Sequence, residues 1–206
     1  METPDVGNAQ RSSAATRQRI LRAAMIRFAR HPYEETKLRD IATDAEIDVA
    51  MVHRAFGSKE QLFIEVVRAA VQARTTIEEQ TDPPEQAFAR EIFDPLLDRT
   101  FGLVDPMDIM VQSLSSAQAA PILRDFILED VIDPIAARTA DVQRDAGRPP
   151  LTSEAINERA ALAAACMTGI VLFRQVLKID LVGDDRRARL EPLIRAVLSA
   201  ALHPAP

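Results

Sequence analysis

Residues 16–63 read TRQRILRAAMIRFARHPYEETKLRDIATDAEIDVAMVHRAFGSKEQLF, and their periodicity decides the fold. Ile20, Leu21, Ala24 and Phe28 recur at helical spacing, which predicts a first helix over about 15–30 with one apolar stripe. Arg17, Arg19, Arg22, Arg27 and Arg30 fall outside the stripe, and Thr16 is placed to cap the helix. His31-Pro32 ends it, because a proline crowds a helical residue before it. A short second helix is expected near 37–44, with Leu38, Ile41, Ala42 and Ala45 inward. Asp48 can cap a third over about 49–55. Ser58, followed three residues later by Gln61, has the capping-box pattern and opens a fourth helix expected to reach about Ile77.

Two short helices joined by a tight turn make a helix-turn-helix, whose second helix fits the major groove of duplex DNA. Here the unit is 37–44, the turn Ala45-Glu46-Ile47, and the reading helix 48–55. Ile47, Val52 and Phe56 are expected inward, which leaves Val49, Ala50, Met51, His53 and Arg54 outward. Charge placement agrees. The 206-residue chain carries −6 overall, from 25 basic and 31 acidic residues. Residues 10–60 nonetheless hold ten basic against seven acidic side chains, a local balance of +3 that leaves −9 for the rest. A basic front on an acidic body lets one surface meet phosphate while the remainder repels it.

With these residues in place, 16–63 resembles the amino-terminal domain of the tetracycline-repressor (TetR) family nearly end to end. The matching features are Ile20-Leu21, Ala23-Ala24, Phe28-Ala29, Tyr33, Thr36, Arg39-Asp40-Ile41-Ala42, Phe56 and Ser58-Lys59-Glu60-Gln61-Leu62. The resemblance implies an all-α chain. It would have a flexible tail over 1–14, a three-helix helix-turn-helix DNA-binding domain over 15–62, and a helical ligand-binding and dimerisation domain over 63–206. It further implies phosphate contacts from Thr36, Lys37, His53 and Lys59, and from backbone N–H groups opening the fourth helix. Base edges would fall to the exposed side of the third helix and to Arg39. Val49, Ala50 and Met51 suit thymine methyls, and Arg39 or Arg54 suits guanine. Two positions depart from the family pattern. Glu46 stands where the family often has glycine, and His53 where it often has a phosphate-donating tyrosine. Tyr33 is expected to pack between the first and fourth helices.

Beyond Thr81-Asp82-Pro83-Pro84, helical stretches are expected near 85–101, 107–115, 121–144, 152–178 and 184–202, with kinks or breaks at Pro95 and Pro134 and a loop over 146–151. The resemblance implies that the last two helices form half of a four-helix bundle across a two-fold axis. Ala161, Ala165, Thr168 and Gly169 are small enough for close approach, and Leu193 and Val197 supply apolar area. It also implies a small apolar effector, and Phe93, Leu97, Phe101, Met107, Met110, Val111, Leu114, Phe126, Met167 and Phe173 are candidates to line its pocket.

Other classes find less support. The three histidines His31, His53 and His203 lie outside any metal spacing, the six glycines form no phosphate loop, and Cys166 has no evident His partner. Catalytic residues, metal and cofactor are therefore not expected, and the chain reads as no enzyme. The single cysteine excludes an intrachain disulfide and is expected to be buried. No apolar run approaches 18 residues and no leader pattern opens the chain, so a cytoplasmic protein is expected. The reading is a DNA-binding transcriptional regulator, a repressor released from a near-palindromic operator by its effector. The alternative is a helical protein-interaction adaptor that does not bind DNA.

Overall fold

A computed structural model describes residues 6–72, 83–93 and 104–203. Among the described residues every regular element is helical. α1 is Val6–Arg30, α2 Leu38–Asp44, α3 Val49–Phe56 and α4 Lys59–Gln72. α5 is Pro84–Phe93, α6 Pro106–Ser113 and α7 Ala119–Phe126. α8 is Asp133–Asp145, α9 Ser153–Val171 and α10 Arg187–Leu202. The expected ends of the fourth and fifth helices, and Pro95, lie outside the described residues.

The chain divides into two compact units, residues 1–70 with 99–123, and residues 71–98 with 124–206. The first unit is larger than a reader ending at 62. α6 packs along α1 within it. A helical start at Val6 also replaces most of the expected tail and puts Thr16 inside α1 rather than at its cap. Residues 9–15 are mostly alanine and unbranched or small polar residues, with no proline or glycine to stop helix propagation.

Inside the first unit most of the expected stripe is core, with Leu21 half-buried. Ile20, Ala24 and Phe28 of α1 are fully buried, with Ile41 of α2, Val52 of α3 and Leu62, Phe63 and Val66 of α4. Tyr33 packs where expected. Its ring stacks on Phe28 at 5.8 Å, and Phe63 meets both edge-on, at 4.9 and 5.0 Å. Such pairs add about 0.5–1.5 kcal/mol each beyond the area they bury. The Tyr33 hydroxyl is buried without a partner, and burial pushes its phenol up to about 12.

Caps set the helix ends. The Asp48 carboxylate accepts from the Ala50 N–H at 2.7 Å and starts α3, and the Ser58 hydroxyl accepts from the Gln61 N–H at 3.1 Å and starts α4. α2 ends in a Schellman motif, with Ile47 N–H donating to Ala42 O and Glu46 N–H to Thr43 O, both at 3.0 Å. The residue between must turn left-handed, and Glu46 does so at φ 53°. α8 ends in the same motif, with Gly147 at φ 63°. Glycine is therefore the residue this geometry prefers, and Glu46 carries strain.

The second unit packs α5, α8, α9 and α10 around Phe88, Ile92, Ile135, Ala160, Ala163, Ile194, Leu198 and Leu202. Among the described residues its helices are interrupted by two π segments. A π segment, Ile127–Ile132, precedes α8, where Asp133 N–H reaches back five residues to Leu128 O. Pro134 has no N–H and its ring crowds the carbonyl four residues earlier, so the wider turn accommodates it. The kink expected at Pro134 takes this form. A second π segment, Leu172–Val176, extends α9 and stops at Lys178, which turns left-handed at φ 52°. Deep in the unit, the His203 ring lies 3.4 Å from both Gln143 and Glu85, joining the end of α10 to α8 and the start of α5.

One sequence expectation changes here. Ser153–Val176 is long and apolar enough, by length and composition alone, to cross a membrane. Only 22% of its apolar window is buried within one chain.

Replacing Glu46 by glycine removes the left-handed penalty. Stability is expected to rise by roughly 0.5–1 kcal/mol in chemical denaturation. A fall would contradict the strain assigned to this turn.

Candidate nucleic-acid interface

α1 supplies the arms that hold α2 and α3 in place. Arg17 Nη1 donates to the Ala55 carbonyl at 2.7 Å, its Nη2 binds the Glu65 carboxylate, and its guanidinium lies 4.1 Å from the Phe56 ring centre. Arg19 donates to Ala45 O at 2.8 Å and Glu46 O at 3.3 Å. Arg27 grips Asp44 through Nε at 2.7 Å and Nη2 at 2.9 Å, and that pairing holds its guanidinium more firmly protonated than usual. The carbonyls involved are the last of α2 and α3, which carry the negative ends of those helices. Three of the basic residues counted toward a phosphate-binding front therefore work inside the protein. Periodicity placed them outside the apolar stripe but could not show that they reach partners 17–48 positions away.

The reading helix presents the face expected. Val52 and Phe56 are buried, Val49 is half-buried, and Ala50, Met51, His53 and Arg54 are exposed. Lys37 and Arg39, at the start of α2, are also exposed. The Lys37 N–H donates to the Asp40 carboxylate at 3.3 Å, which closes the first turn of α2. The His53 Nδ1 lies 3.0 Å from the Gly57 carbonyl. That carbonyl can only accept, so Nδ1 carries a proton and Nε2 is the nitrogen left over. A neutral His53 then offers Nε2 only as an acceptor, and donation to phosphate requires the imidazolium.

Thr36 and Lys59, both expected at phosphate, have partners within the chain. Thr36 is 1% exposed, and its hydroxyl donates to Pro32 O at 3.2 Å. Lys59 donates to Tyr33 O at 2.8 Å and Thr36 O at 3.1 Å, with its ammonium 4.0 Å from the Tyr33 ring centre. Burial lowers its pKa. Thr36 and Lys59 thus shape the loop leading into α2, because the backbone carbonyls there lack helical donors and need partners. The same loop is tied to the α6–α7 connection. The Ser116 hydroxyl donates to Glu34, accepts from the Ala119 N–H at 2.9 Å, and holds the Glu34 carboxyl below its usual range. Nothing in the local sequence signals a contact 82 positions apart.

Comparison with known proteins bears on both halves. Residues 20–66 match the family model described as bacterial regulatory proteins, tetR family, and residues 88–202 match the tetracyclin repressor-like C-terminal domain. The chain is a TetR-family transcriptional regulator. Solved structures share its fold at low identity. GusR of Salmonella enterica is similar at 20% identity and TM-score 0.64, over 91% of this chain and 95% of that one. A TetR-family regulator from Mesorhizobium loti is similar at 22% identity and TM-score 0.58, over 92% and 96%. Another from Streptomyces coelicolor is similar at 21% identity and TM-score 0.55, over 91% and 94%. No curated protein matches the chain.

The TetR-type regulatory half sorts the remaining residues. Leu97 and Phe101 lie outside the described residues. Met107, Met110, Val111 and Leu114 belong to α6 and its end, in the first unit, whereas Phe93, Phe126, Met167 and Phe173 belong to the second. The eight described candidates thus divide between the two units. Met107, Phe93 and Phe126 are core, and Leu114 and Phe173 are exposed rather than enclosed. A cleft of about 270 Å³ lies in the second unit between α5 and α10, lined by Gln86, Ala89, Ala188, Glu191, Pro192 and Arg195, none of them a sequence candidate. Cys166 is half-buried, not fully buried as expected. Of the residues expected at a dimer face, Ala165, Thr168, Leu193 and Val197 are exposed, and Ala161 and Gly169 are half-buried. Leu162 joins them, exposed beside Ala161. Ile194 and Leu198, adjacent to Leu193 and Val197 in sequence, face the core instead.

If Lys59 is a clamp, its replacement by alanine destabilises the reader by about 1–2 kcal/mol and lowers the thermal midpoint. An unchanged midpoint would return Lys59 to the phosphate-binding set.

Proposed function

We propose that the protein is a cytoplasmic repressor that binds a near-palindromic operator as a homodimer and leaves it when a small-molecule effector binds the regulatory half. The observation that carries this reading is the division of α3. One side is locked into the core by Val52 and Phe56, and the other offers Ala50, Met51, His53 and Arg54 to solvent. Val49, Ala50 and Met51 have no hydrogen-bonding side-chain groups and suit thymine methyls. Arg54, and Arg39 from α2, can each place two donors on guanine O6 and N7. Lys37, and His53 when protonated, serve phosphate, along with the N-terminal amides of α4.

Pairing is supported by the second unit. Leu162 on α9, with Leu193 and Val197 on α10, is 51–62% exposed, beside small Ala165 and Thr168. Apolar side chains concentrated on two adjacent helices are covered by a second copy in this reading, which also accounts for the low burial of α9 within one chain. The two reading helices would then meet half-sites about 34–36 Å apart, or a multiple of that spacing.

Gel-shift titrations across a salt series test the DNA-facing assignment. Lys37→Ala is expected to weaken binding alike on all sequences and to reduce the salt slope by about 1, whereas Arg54→Ala relaxes preference at one base position and costs about 1–3 kcal/mol. A uniform loss with Arg54→Ala would confine that residue to phosphate. No shift at low salt by the intact protein would sink the DNA-binding reading.

Leu193→Asp places a charge on the proposed pairing face without touching the core. Sedimentation is expected to show the wild type as a dimer and the variant as a monomer with helical content retained. A dimeric variant would move the interface elsewhere.

A further inference from the structure

The Arg174 guanidinium has only half of its Nε–Nη2 edge in use. Arg27 meets Asp44 with both donors of its Nε–Nη2 edge, one on each carboxylate oxygen, at 2.7 and 2.9 Å, and Arg124 places the same two donors on a single oxygen of Asp125, at 3.2 and 3.0 Å. Two parallel N–H···O bonds from that edge are what match arginine to a carboxylate. Arg174, in the π segment after α9, differs. Its Nη1 donates to the Ile92 carbonyl at the end of α5, and its Nη2 to one oxygen of Asp184. Its Nε, on the same edge as Nη2, is buried with no partner. The Arg174 side chain is 8% exposed, and that of Asp184 is 79% exposed. A buried cationic donor without an acceptor is costly, and native proteins rarely leave one unless something else fills it.

The neighbourhood defines what would fit. The Phe93 ring centre lies 5.1 Å from the Arg174 guanidinium and 5.8 Å from that of Arg187, so two cations share one aromatic ring. Glu191 engages the Arg187 Nε at 2.9 Å. Asp184 opens the 3₁₀ turn Asp184–Arg186, which leads directly into α10. On the same two segments, Gln175 Oε1 and Arg186 Nε are also buried without hydrogen-bond partners. Two of these three atoms are nitrogen donors, so they call for an occupant with oxygens to accept.

We propose that the Nε–Nη2 edge of Arg174 receives the carboxylate of a small effector, and that Asp184 is an internal placeholder which the effector displaces. The proposal rests on the ligand-responsive reading above and names its ligand class. Asp184 supplies one oxygen and stands in solvent, so it leaves readily. A ligand carboxylate supplies two oxygens, which fills Nε as well. Release of Asp184 unties the 3₁₀ turn from the π segment, and so loosens the end of α9 from the start of α10. Those helices carry Leu162, Leu193 and Val197, so the ligand acts on the proposed pairing face by favouring one arrangement of it.

Calorimetric titration of benzoate into the full-length protein, without DNA, tests this. Wild type is expected to bind benzoate saturably at one site per chain. Asp184→Asn keeps an acceptor for Nη2 but removes the competing charge, and should tighten benzoate at least about fivefold. Arg174→Lys keeps the cation but has no two-pronged edge, and should weaken benzoate at least about tenfold. If Arg174→Lys fails to fold, the exposed Asp184→Asn change decides. The proposal is overturned if wild type shows no saturable binding, if Asp184→Asn leaves the affinity unchanged, or if a folded Arg174→Lys protein binds as wild type does. It is also overturned if inorganic phosphate binds more tightly than benzoate, since the edge would then serve a phosphate group. With no DNA in the experiment, failure here leaves operator recognition standing, and failure of operator binding leaves the titration readable.

Discussion

The orientation of α3 depends on guanidinium groups reaching across from α1 to the carbonyl ends of its neighbours. Arg19 holds the end of α2 and Arg17 the end of α3. Each contact satisfies acceptors that a helix cannot satisfy itself, and places positive charge at the negative end of a helix dipole. Arg17 further ties α3 to α4 through Glu65, with Phe56 beneath its guanidinium. The aromatic cluster of Phe28, Tyr33 and Phe63 supplies the apolar counterpart, locking α1 to α4. A reading helix of only eight residues is too short to be stable alone. It keeps its shape and aim because those contacts fix both ends and its buried side.

The loop that leads into the reader is braced within the same unit. The loop between α1 and α2 is held from one side by Lys59 and from the other by Ser116 through Glu34. Ser116 caps the start of α7 with the same hydroxyl. In the second unit the two π segments provide places where helical register is already altered, one before Pro134 and one carrying Arg174.

Much of the reader was legible in sequence because its signals are local. The caps Asp48 and Ser58 and the inward Val52 and Phe56 follow from spacing and backbone preference over a few residues. The long side chains were not legible. Thr36 and Lys59 carry groups that could serve phosphate, and only the folded loop shows that they bond to carbonyls of Pro32, Tyr33 and Thr36 itself. Arg17 and Arg19 look like a solvated face for the same reason. In the regulatory half, composition marked Met and Phe as pocket candidates, but such residues also fill cores, as Met107 and Phe126 do. The Arg174 fork was invisible, because an unmet donor on one edge of a guanidinium has no sequence signature.

The central claim is that two copies of α3, held by this frame and paired through the second unit, read adjoining turns of one duplex. Selection of bound duplexes from a random pool by the full-length protein tests it most directly. Enrichment of two inverted half-sites, with centres about 10–10.5 base pairs or a multiple apart, is the expected result. Enrichment of a lone half-site, or of no sequence at all at low salt, would contradict it.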